Sequence, residues 1–250
     1  MSGQRVRRCV ISLALGLGLT CGATPALVGA AQAADSPQVS RFTIGMSVQG
    51  RPITVVHLAD PGAHTRVVVI GNIHGDEQAG FRVIKALREL KTLPSNLDLF
   101  LIRTANPDGT AANTRTNAHG VDLNRNFPFR WHSSSRGLTW SGRRPLSEPE
   151  SLTLRAFVRQ IKPALVVVFH QPLFGIGAQD KTMPVVRRLS RETGLPVRNF
   201  RCTGICAGSF TSWLNSLPGM MGVTVEFGHT VSESRIRRTA RALVSVGAGL

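Results

Sequence analysis

Short apolar runs alternate with amphipathic stretches along most of the chain. The runs "ITVVHLA", "TRVVVIG", "LDLFLIRTA", "ALVVVFH" and "GVTVEFG", and a shorter one at "RFTIG", are rich in β-branched and aliphatic residues, which predicts strands. Between them, "EQAGFRVIKALREL", "MPVVRRLSRETG", "GSFTSWLNSL" and the C-terminal segment carry apolar residues at helical spacing. This alternation favours a single-domain α/β fold of three layers, with a mixed, largely parallel sheet between helices.

A long polar stretch interrupts this pattern in the middle of the chain. It opens with "NPDG", which is a strong turn signal, and continues to Pro145. A connector of this length is unusual in a compact domain unless it has a function of its own. It ends at "SEPE", from Ser147 to Glu150, which we interpret as a capping box that starts a helix running through Ile161.

The first 33 residues have the features of a secretory signal. Arg5, Arg7 and Arg8 precede an apolar run, and the small residues "AQA" end at Ala33. We predict cleavage after Ala33 and an exported catalytic domain over residues 34–250, with no transmembrane segment after cleavage. A membrane anchor is the alternative, and the glycines and Pro25 within the run disfavour it.

Charge adds an expectation about partners. The chain has a formal net charge of +16, so an exported protein of this kind should adhere non-specifically to an anionic cell envelope; a solvated basic surface without a partner is the alternative. Specific nucleic-acid binding is disfavoured because the chain has no tyrosine and no recognisable binding motif. Cys202 and Cys206 are four residues apart, so they either form a local disulfide or remain free thiols. We expect a monomer.

Candidate chemistry falls just beyond the ends of predicted strands, which is the edge where open α/β sheets bind ligands. His74 and Glu77, three apart in "GNIHGDEQAG", follow one strand, and His170 ends another. Two histidines and one carboxylate form a set typical of catalytic zinc sites that leave one position open. Alternatively, Glu77 caps a helix and His170 is a core histidine. Asp76 is expected to play only a supporting part.

Three further segments contribute candidates. Glu226 ends the apolar strand "TVEFG", so it is either paired with an arginine or a general base with a raised pKa. Arg115, Asn124 and Arg125 lie in the polar stretch and suit recognition of a free carboxylate; a solvated basic loop is the alternative. The remaining histidines are expected at the surface or in supporting positions: His57, His64, His119, His132 and His229.

The order of "HGDE", "NPDG", "NTRTNAHG", "GVDLNRNFP", a strand-final His and a strand-final Glu resembles the zinc carboxypeptidase (metallocarboxypeptidase) family. Within that family, these sequence motifs are most similar to those of bacterial murein peptide amidases. The resemblance covers roughly residues 42–227, nearly all of the chain that follows the predicted signal. It implies a zinc carboxypeptidase-like fold and one zinc ion.

The resemblance also implies a role for each matched residue. His74, Glu77 and His170 match the zinc ligands, and Glu226 matches the carboxylate that takes a proton from water and passes it to the leaving amine. Arg115 matches the arginine that stabilises the developing oxyanion. Asn124 and Arg125 match the pair that binds the terminal carboxylate of the substrate.

The expected function is therefore hydrolysis of an amide next to a residue with a free carboxylate, with peptidoglycan stem peptides as the expected substrate. A general extracellular metallocarboxypeptidase acting on peptides is one alternative. A non-catalytic cell-wall-binding module of the same fold is another. One departure from the family stands out: its well-known members close a tyrosine over the substrate, and this chain contains none.

Overall fold

The computed structural model describes residues 37–60, 62–200 and 207–250. The predicted signal, residues 1–33, and Cys202 and Cys206 lie outside the described residues. Within the described part, no helix is both long and apolar enough to cross a membrane.

One mixed sheet runs through the described chain. Its strands are β1 (Gln38–Met46), β2 (Pro52–Ala59), β3 (Thr65–Ile70), β4 (Leu97–Ile102), β5 (Leu165–His170), β6 (Gly175–Gly177), β7 (Val197–Arg198) and β8 (Met221–Glu226). Their order across the sheet is β1-β2-β4-β3-β5-β8-β6-β7. The central strands β4, β3, β5 and β8 are parallel to their neighbours in that group, and antiparallel pairs flank them. The expected mixed, largely parallel sheet is confirmed.

Helices cover both faces of this sheet. The helices are α1 (Gly80–Arg88), α2 (Pro107–Ala112), α3 (Pro149–Ile161), α4 (Met183–Thr193), α5 (Phe210–Asn215) and α6 (Glu233–Ala248). Helices α1, α4 and α6 bury their apolar sides in one core cluster, and α3 and α5 bury theirs in a second. Because strands such as β4 and β5 are buried along their whole length, the three-layer prediction is also confirmed.

Two interpretations of the polar stretch are wrong in detail. Helix α3 begins at Pro149, and its N-cap is Glu148, whose side chain makes no capping bond. The Ser147 hydroxyl donates to Glu148 Oε1 instead, so "SEPE" is not a capping box. "NPDG" is not a simple turn either, because the Asn106 side chain accepts from the Gly109 N–H and Pro107 occupies the first turn of helix α2.

Helix α1 starts later than its apolar spacing indicates. The predicted helix runs from Glu77, whereas residues 75–79 form turns and the helix begins at Gly80. Gly80 is the point of closest approach to the sheet, because a Cβ there would lie 2.0 Å from the Gly71 carbonyl oxygen and 2.6 Å from the Phe169 Cβ. Only glycine lets the helix begin so close to β3 and β5.

We expect Gly80→Ala to lower the free energy of unfolding by about 2 kcal/mol, because the added methyl group overpacks the junction between helix α1 and the sheet. Urea denaturation measures the change. Gly62→Ala is the matched control, since the nearest atom to its added Cβ is 3.6 Å away, and it should change stability by less than about 0.5 kcal/mol. Equal stability of the two variants would contradict the close packing at Gly80.

Candidate active site

The parallel strands at the centre of the sheet end at one edge, where three polar segments come together. The chain leaves β3 at Ile70 and reaches His74 four residues later, while β5 ends in His170 and β8 ends in Glu226. His170 and Glu226 are register partners on neighbouring strands. Parallel strands present their carboxyl ends at the same edge, so side chains far apart in sequence meet there.

His74, Glu77 and His170 form a buried cluster at this edge. One ligand atom from each lies within 4.8 Å of the other two. Glu77 stands between the imidazoles, with Oε1 2.8 Å from His74 Nδ1 and Oε2 2.8 Å from His170 Nδ1. Among the described residues, this is the group of three His, Cys, Asp or Glu side chains that could hold a metal ion.

The turn that carries His74 packs against the "NPDG" segment. A Cβ at Gly75 would lie 2.0 Å from the Gly109 carbonyl carbon, so two glycines allow these backbones to touch. The turn is closed by the Glu77 N–H, which donates to the His74 carbonyl over 3.2 Å. This closure places both side chains on the same side of the turn.

Asp122 is a site residue that was not among those predicted from the sequence. Its Oδ1 lies 3.0 Å from His74 Nε2, and its Oδ2 accepts from Arg115 Nε and Nη2 at 3.1 and 2.9 Å. Asp76 is exposed and makes no comparable contact with any other described residue. A carboxylate between two apolar residues in "VDLN" was the available signal, because a buried Asp requires partners.

The buried charges shift one another's pKa values. Burial alone would lower the pKa of His74, but Asp122, by charge and hydrogen bond, and Glu77 raise it from 6.5 to about 9. Burial alone would raise the pKa of Glu77, but His170 and His74 hold it well below its usual range. The pKa of Asp122 is likewise lowered, against the effect of burial, chiefly by His74. Both His74 nitrogens face carboxylates, as an imidazolium that donates from each would require.

Glu226 occupies a different environment in the same cleft. It is 8 % exposed, and its Oε2 accepts from the Leu173 N–H at 3.2 Å. It forms no ion pair with an arginine in the described part of the chain, so the alternative of an arginine-paired Glu226 does not hold among these residues. Burial raises the pKa of its carboxyl group, and the nearby charge of His170 only partly opposes this. A carboxylate in this setting can accept a proton readily.

Arg115, Asn124 and Arg125 reach the same cleft from the polar stretch. Arg115 Nη1 donates to Glu77 Oε1 over 3.2 Å. Asn124 and Arg125 lie in a short 3₁₀ helix, Leu123–Arg125, and the Asn124 Oδ1 accepts from the Phe210 N–H at 2.9 Å. Arg125 Nε is buried and has no hydrogen-bond partner in the described chain. Its Nη1 donates to the Asn124 carbonyl oxygen at 2.8 Å, which leaves the rest of the guanidinium, at the cavity wall, available to an anionic ligand.

These residues share one cavity of about 630 Å³. The predicted site residues that line it are His74, Glu77, Arg115, Asn124, Arg125, His170 and Glu226. Its other walls include the neutral side chains of Thr211, Ser212, Thr224 and Gln179. The cavity is large enough for a small peptide segment.

Side-chain amides brace the polar stretch that supplies the arginines. Asn117 Nδ2 donates to Glu148 Oε2 and Glu150 Oε2 at 2.8 and 3.1 Å, and its Oδ1 accepts from the His119 and Val121 N–H groups. Burial, together with the charge of Glu148, raises the pKa of Glu150. This network holds the turn between Arg115 and Asp122 without regular secondary structure.

The remaining histidines lie away from the cavity. His57 pairs with Asp98 and stacks on Phe100, and His119 is 2.8 Å from Glu148. The other three are exposed: His64, His132 and His229. None of the five lines the cavity.

Comparison with known proteins places this site in a family. The profile of the zinc carboxypeptidase family (peptidase M14) matches residues 26–172, a stretch that holds every predicted site residue except Glu226. Murein peptide amidase A of Escherichia coli (strain K12) is 32% identical over 208 residues, covering 73% of this chain and 79% of that protein.

Solved structures agree with this assignment. The murein-tripeptide amidase of Escherichia coli O157 superposes with a TM-score of 0.64 at 29% identity, covering 84% of this chain and 92% of that one. Carboxypeptidase A of Helicoverpa armigera has a TM-score of 0.70 at 19% identity, covering 86% of this chain and 68% of that one, and shares the fold. The chain belongs to the zinc carboxypeptidase family, as a hydrolase similar to murein peptide amidase.

Proposed function

We propose that this protein is an exported, zinc-dependent amidase that cleaves the amide bond next to a residue with a free carboxylate, in peptidoglycan stem peptides. One observation carries the reaction class: a complete two-histidine, one-carboxylate set shares a cavity with Glu226, which has no ion-pair partner among the described residues, and with the guanidinium groups of Arg115 and Arg125.

The donor set fits a single zinc ion. His74, Glu77 and His170 would hold it, because imidazole nitrogens and a carboxylate oxygen are its usual ligands in hydrolases. The Nδ1 atoms of His74 and His170 each lie 2.8 Å from one oxygen of Glu77. Asp122 fixes the orientation of the His74 ring through its contact with Nε2. When bound, zinc would polarise the substrate carbonyl and acidify water.

The protein's own groups supply the proton transfers and the orientation. Glu226, whose pKa is raised by burial, takes a proton from the attacking water on a carboxylate oxygen and delivers it to the leaving nitrogen. Arg115 donates to the oxygen that develops negative charge at the cleaved carbonyl. Arg125 and Asn124 bind the terminal carboxylate of the substrate, which positions the amide beside Glu226.

Support for the substrate is of a different kind. The similarity to murein peptide amidase, the expected export signal and the basic charge all favour peptidoglycan peptides. A general extracellular carboxypeptidase would use the same site on other peptides. A wall-binding module without activity is disfavoured, because the ligand set, the base and both arginines are present together.

We expect Glu226→Gln to reduce kcat by about 10³-fold, because the amide cannot accept the proton of water. Zinc content, measured by elemental analysis, should stay at one ion per chain. Asp76→Asn is the matched control: it removes an exposed carboxylate from the same motif and should leave kcat within about twofold. Hydrolysis that survives in Glu226→Gln would contradict the assigned base.

After the metal is removed, the titration of His74 should appear in the pH dependence of the free energy of unfolding. In chelator-treated protein the raised pKa of His74, about 9 against 6.5, means that the folded state binds the proton more tightly than the unfolded state. This stabilisation is complete below pH 6.5 and is lost as the pH rises through 9. The free energy of unfolding should therefore fall by about 3 kcal/mol between pH 6 and pH 9.

Urea denaturation of the metal-free protein across this pH range measures the effect. Asp122→Asn should flatten the profile, because the Asp122 charge is the largest contribution that raises the pKa of His74. A flat profile in the metal-free wild type would contradict the proposed charge state.

Substrate class is tested with purified muropeptides and a panel of linear peptides that differ in their C-terminal residue. We expect stem peptides to be cleaved with a kcat/KM at least about tenfold above that of any linear peptide, a difference of about 1.4 kcal/mol in transition-state binding. Mass spectrometry of the products identifies the bond. Equal cleavage of the linear panel would support the general carboxypeptidase instead.

A further inference from the structure

Arg130 is a third arginine in the wall of the active-site cavity, beside Arg115 and Arg125. Its guanidinium carbon lies 5.3 Å from the centre of the Phe129 ring. Within the described part of the chain, its side chain forms no ion pair or hydrogen bond. A contact with an aromatic ring leaves N–H groups of the guanidinium free for a ligand.

The backbone of Arg130 is held in a conformation that favours glycine. The Trp131 N–H donates to the Pro128 carbonyl oxygen at 3.2 Å, which closes a four-residue turn with Arg130 in its third position. The φ angle of Arg130 is 52°, and a turn with a positive φ at this position usually has glycine or asparagine there. Strain of this kind recurs at ligand-binding sites, where the side chain is the reason for it.

The segment that ends in this turn is fixed to the cavity wall. The Phe127 N–H donates to the Gly208 carbonyl oxygen at 2.8 Å, and the Gly208 N–H donates to the Phe129 carbonyl oxygen at 3.0 Å. The ring of Phe127 is buried, with its centre 4.6 Å from that of Phe210. Arg130 is therefore carried by a braced backbone, and less order has to be gained when its side chain binds a ligand.

The charges of the cavity leave Arg130 without an assigned partner. In the proposed mechanism, Arg115 binds the developing oxyanion and Arg125 binds the terminal carboxylate of the substrate. Among the described residues of the wall, the acidic ones are Glu77 and Glu226, which are assigned to the metal and to proton transfer. A further carboxylate on the substrate would pair with the guanidinium of Arg130 through two parallel hydrogen bonds.

We propose that Arg130 binds a second carboxylate on the leaving residue, the residue whose terminal carboxylate Arg125 binds. The two arginines are five positions apart in one segment of the polar stretch and line the same cavity. The leaving residue is therefore a dicarboxylic amino acid whose side chain reaches from one guanidinium to the other. This inference rests on the proposed function, which supplies the position of the terminal carboxylate. Arg130 determines specificity and takes no part in the chemical step.

The test measures binding by calorimetry to the zinc-loaded mature chain carrying Glu226→Gln, in which hydrolysis is too slow to consume the ligands. The probes are N-acetyl-alanyl dipeptides that end in aspartate, glutamate, 2-aminoadipate or 2-aminopimelate, each compared with its side-chain carboxamide. For at least one side-chain length, the carboxylate should bind at least about tenfold more tightly than the carboxamide. Adding Arg130→Gln should reduce this preference below about threefold and leave the affinity for the carboxamides within about twofold.

Arg136→Gln is the matched control. Arg136 is exposed in the same polar stretch, its guanidinium carbon lies 4.2 Å from the centre of the Trp140 ring, and it is not among the residues that line the cavity. This variant should keep the preference for the carboxylate.

Arg130→Gly is a second variant, which separates binding from folding. Glycine adopts the positive φ of this position without strain, so the Tm should stay within about 2 °C of the wild type while the preference is lost. A purely structural role for Arg130 would lower the Tm and spare the preference.

Equal affinity within every pair of probes would overturn the proposal, and so would a preference that both Arg130 variants retain. N-acetyl-glutamyl-alanine is compared with N-acetyl-glutaminyl-alanine, and an Arg130-dependent preference in this pair alone would overturn the placement on the leaving residue. Hydrolysis of the same dipeptides is measured separately in protein that retains Glu226. Peptides that bind selectively without being cleaved would contradict the proposed function and leave the binding role of Arg130 standing.

Discussion

Glu77 and Asp122 are buried at the end of the sheet, and contacts with imidazole and guanidinium groups stabilise their negative charges. Glu77 contacts both histidines, and Asp122 contacts His74 and Arg115. An isolated ionised group in that position would be strongly unfavourable, so the segments that carry these residues must meet in one arrangement. The turn after β3, the end of β5 and the polar stretch are all held to this edge by that requirement.

The sequence predicts the part of this arrangement that depends on local pattern. Apolar β-branched runs identify the central strands, and a polar residue at the end of such a run marks the edge where ligands bind. His170 and Glu226 are recognisable for this reason. The order of motifs then relates them to His74 and Glu77 through resemblance to a family, and the structure brings all four residues to one cavity.

What the sequence does not reveal depends on contacts between distant segments. Helix α1 begins at Gly80 because of its approach to Gly71 and Phe169, which apolar spacing does not encode. Glu150 occupies the glutamate position of the predicted capping box, yet its carboxylate accepts from Asn117, 33 residues away. Strands β6 and β7 have three and two residues, too short for a periodic signal. The partners of Asp122 are likewise set by tertiary structure.

The amide of Asn117 has a consequence for the chemical durability of the protein. Its nitrogen donates to two buried glutamates, so hydrolysis of this amide to a carboxylic acid would keep the size of the side chain while replacing the donor with an acceptor. Three acidic groups would then crowd one buried point. The shape of the loop that carries Arg115 and Asp122 is therefore sensitive to deamidation at a single asparagine. Aliphatic side chains in the buried core do not undergo this slow chemical change.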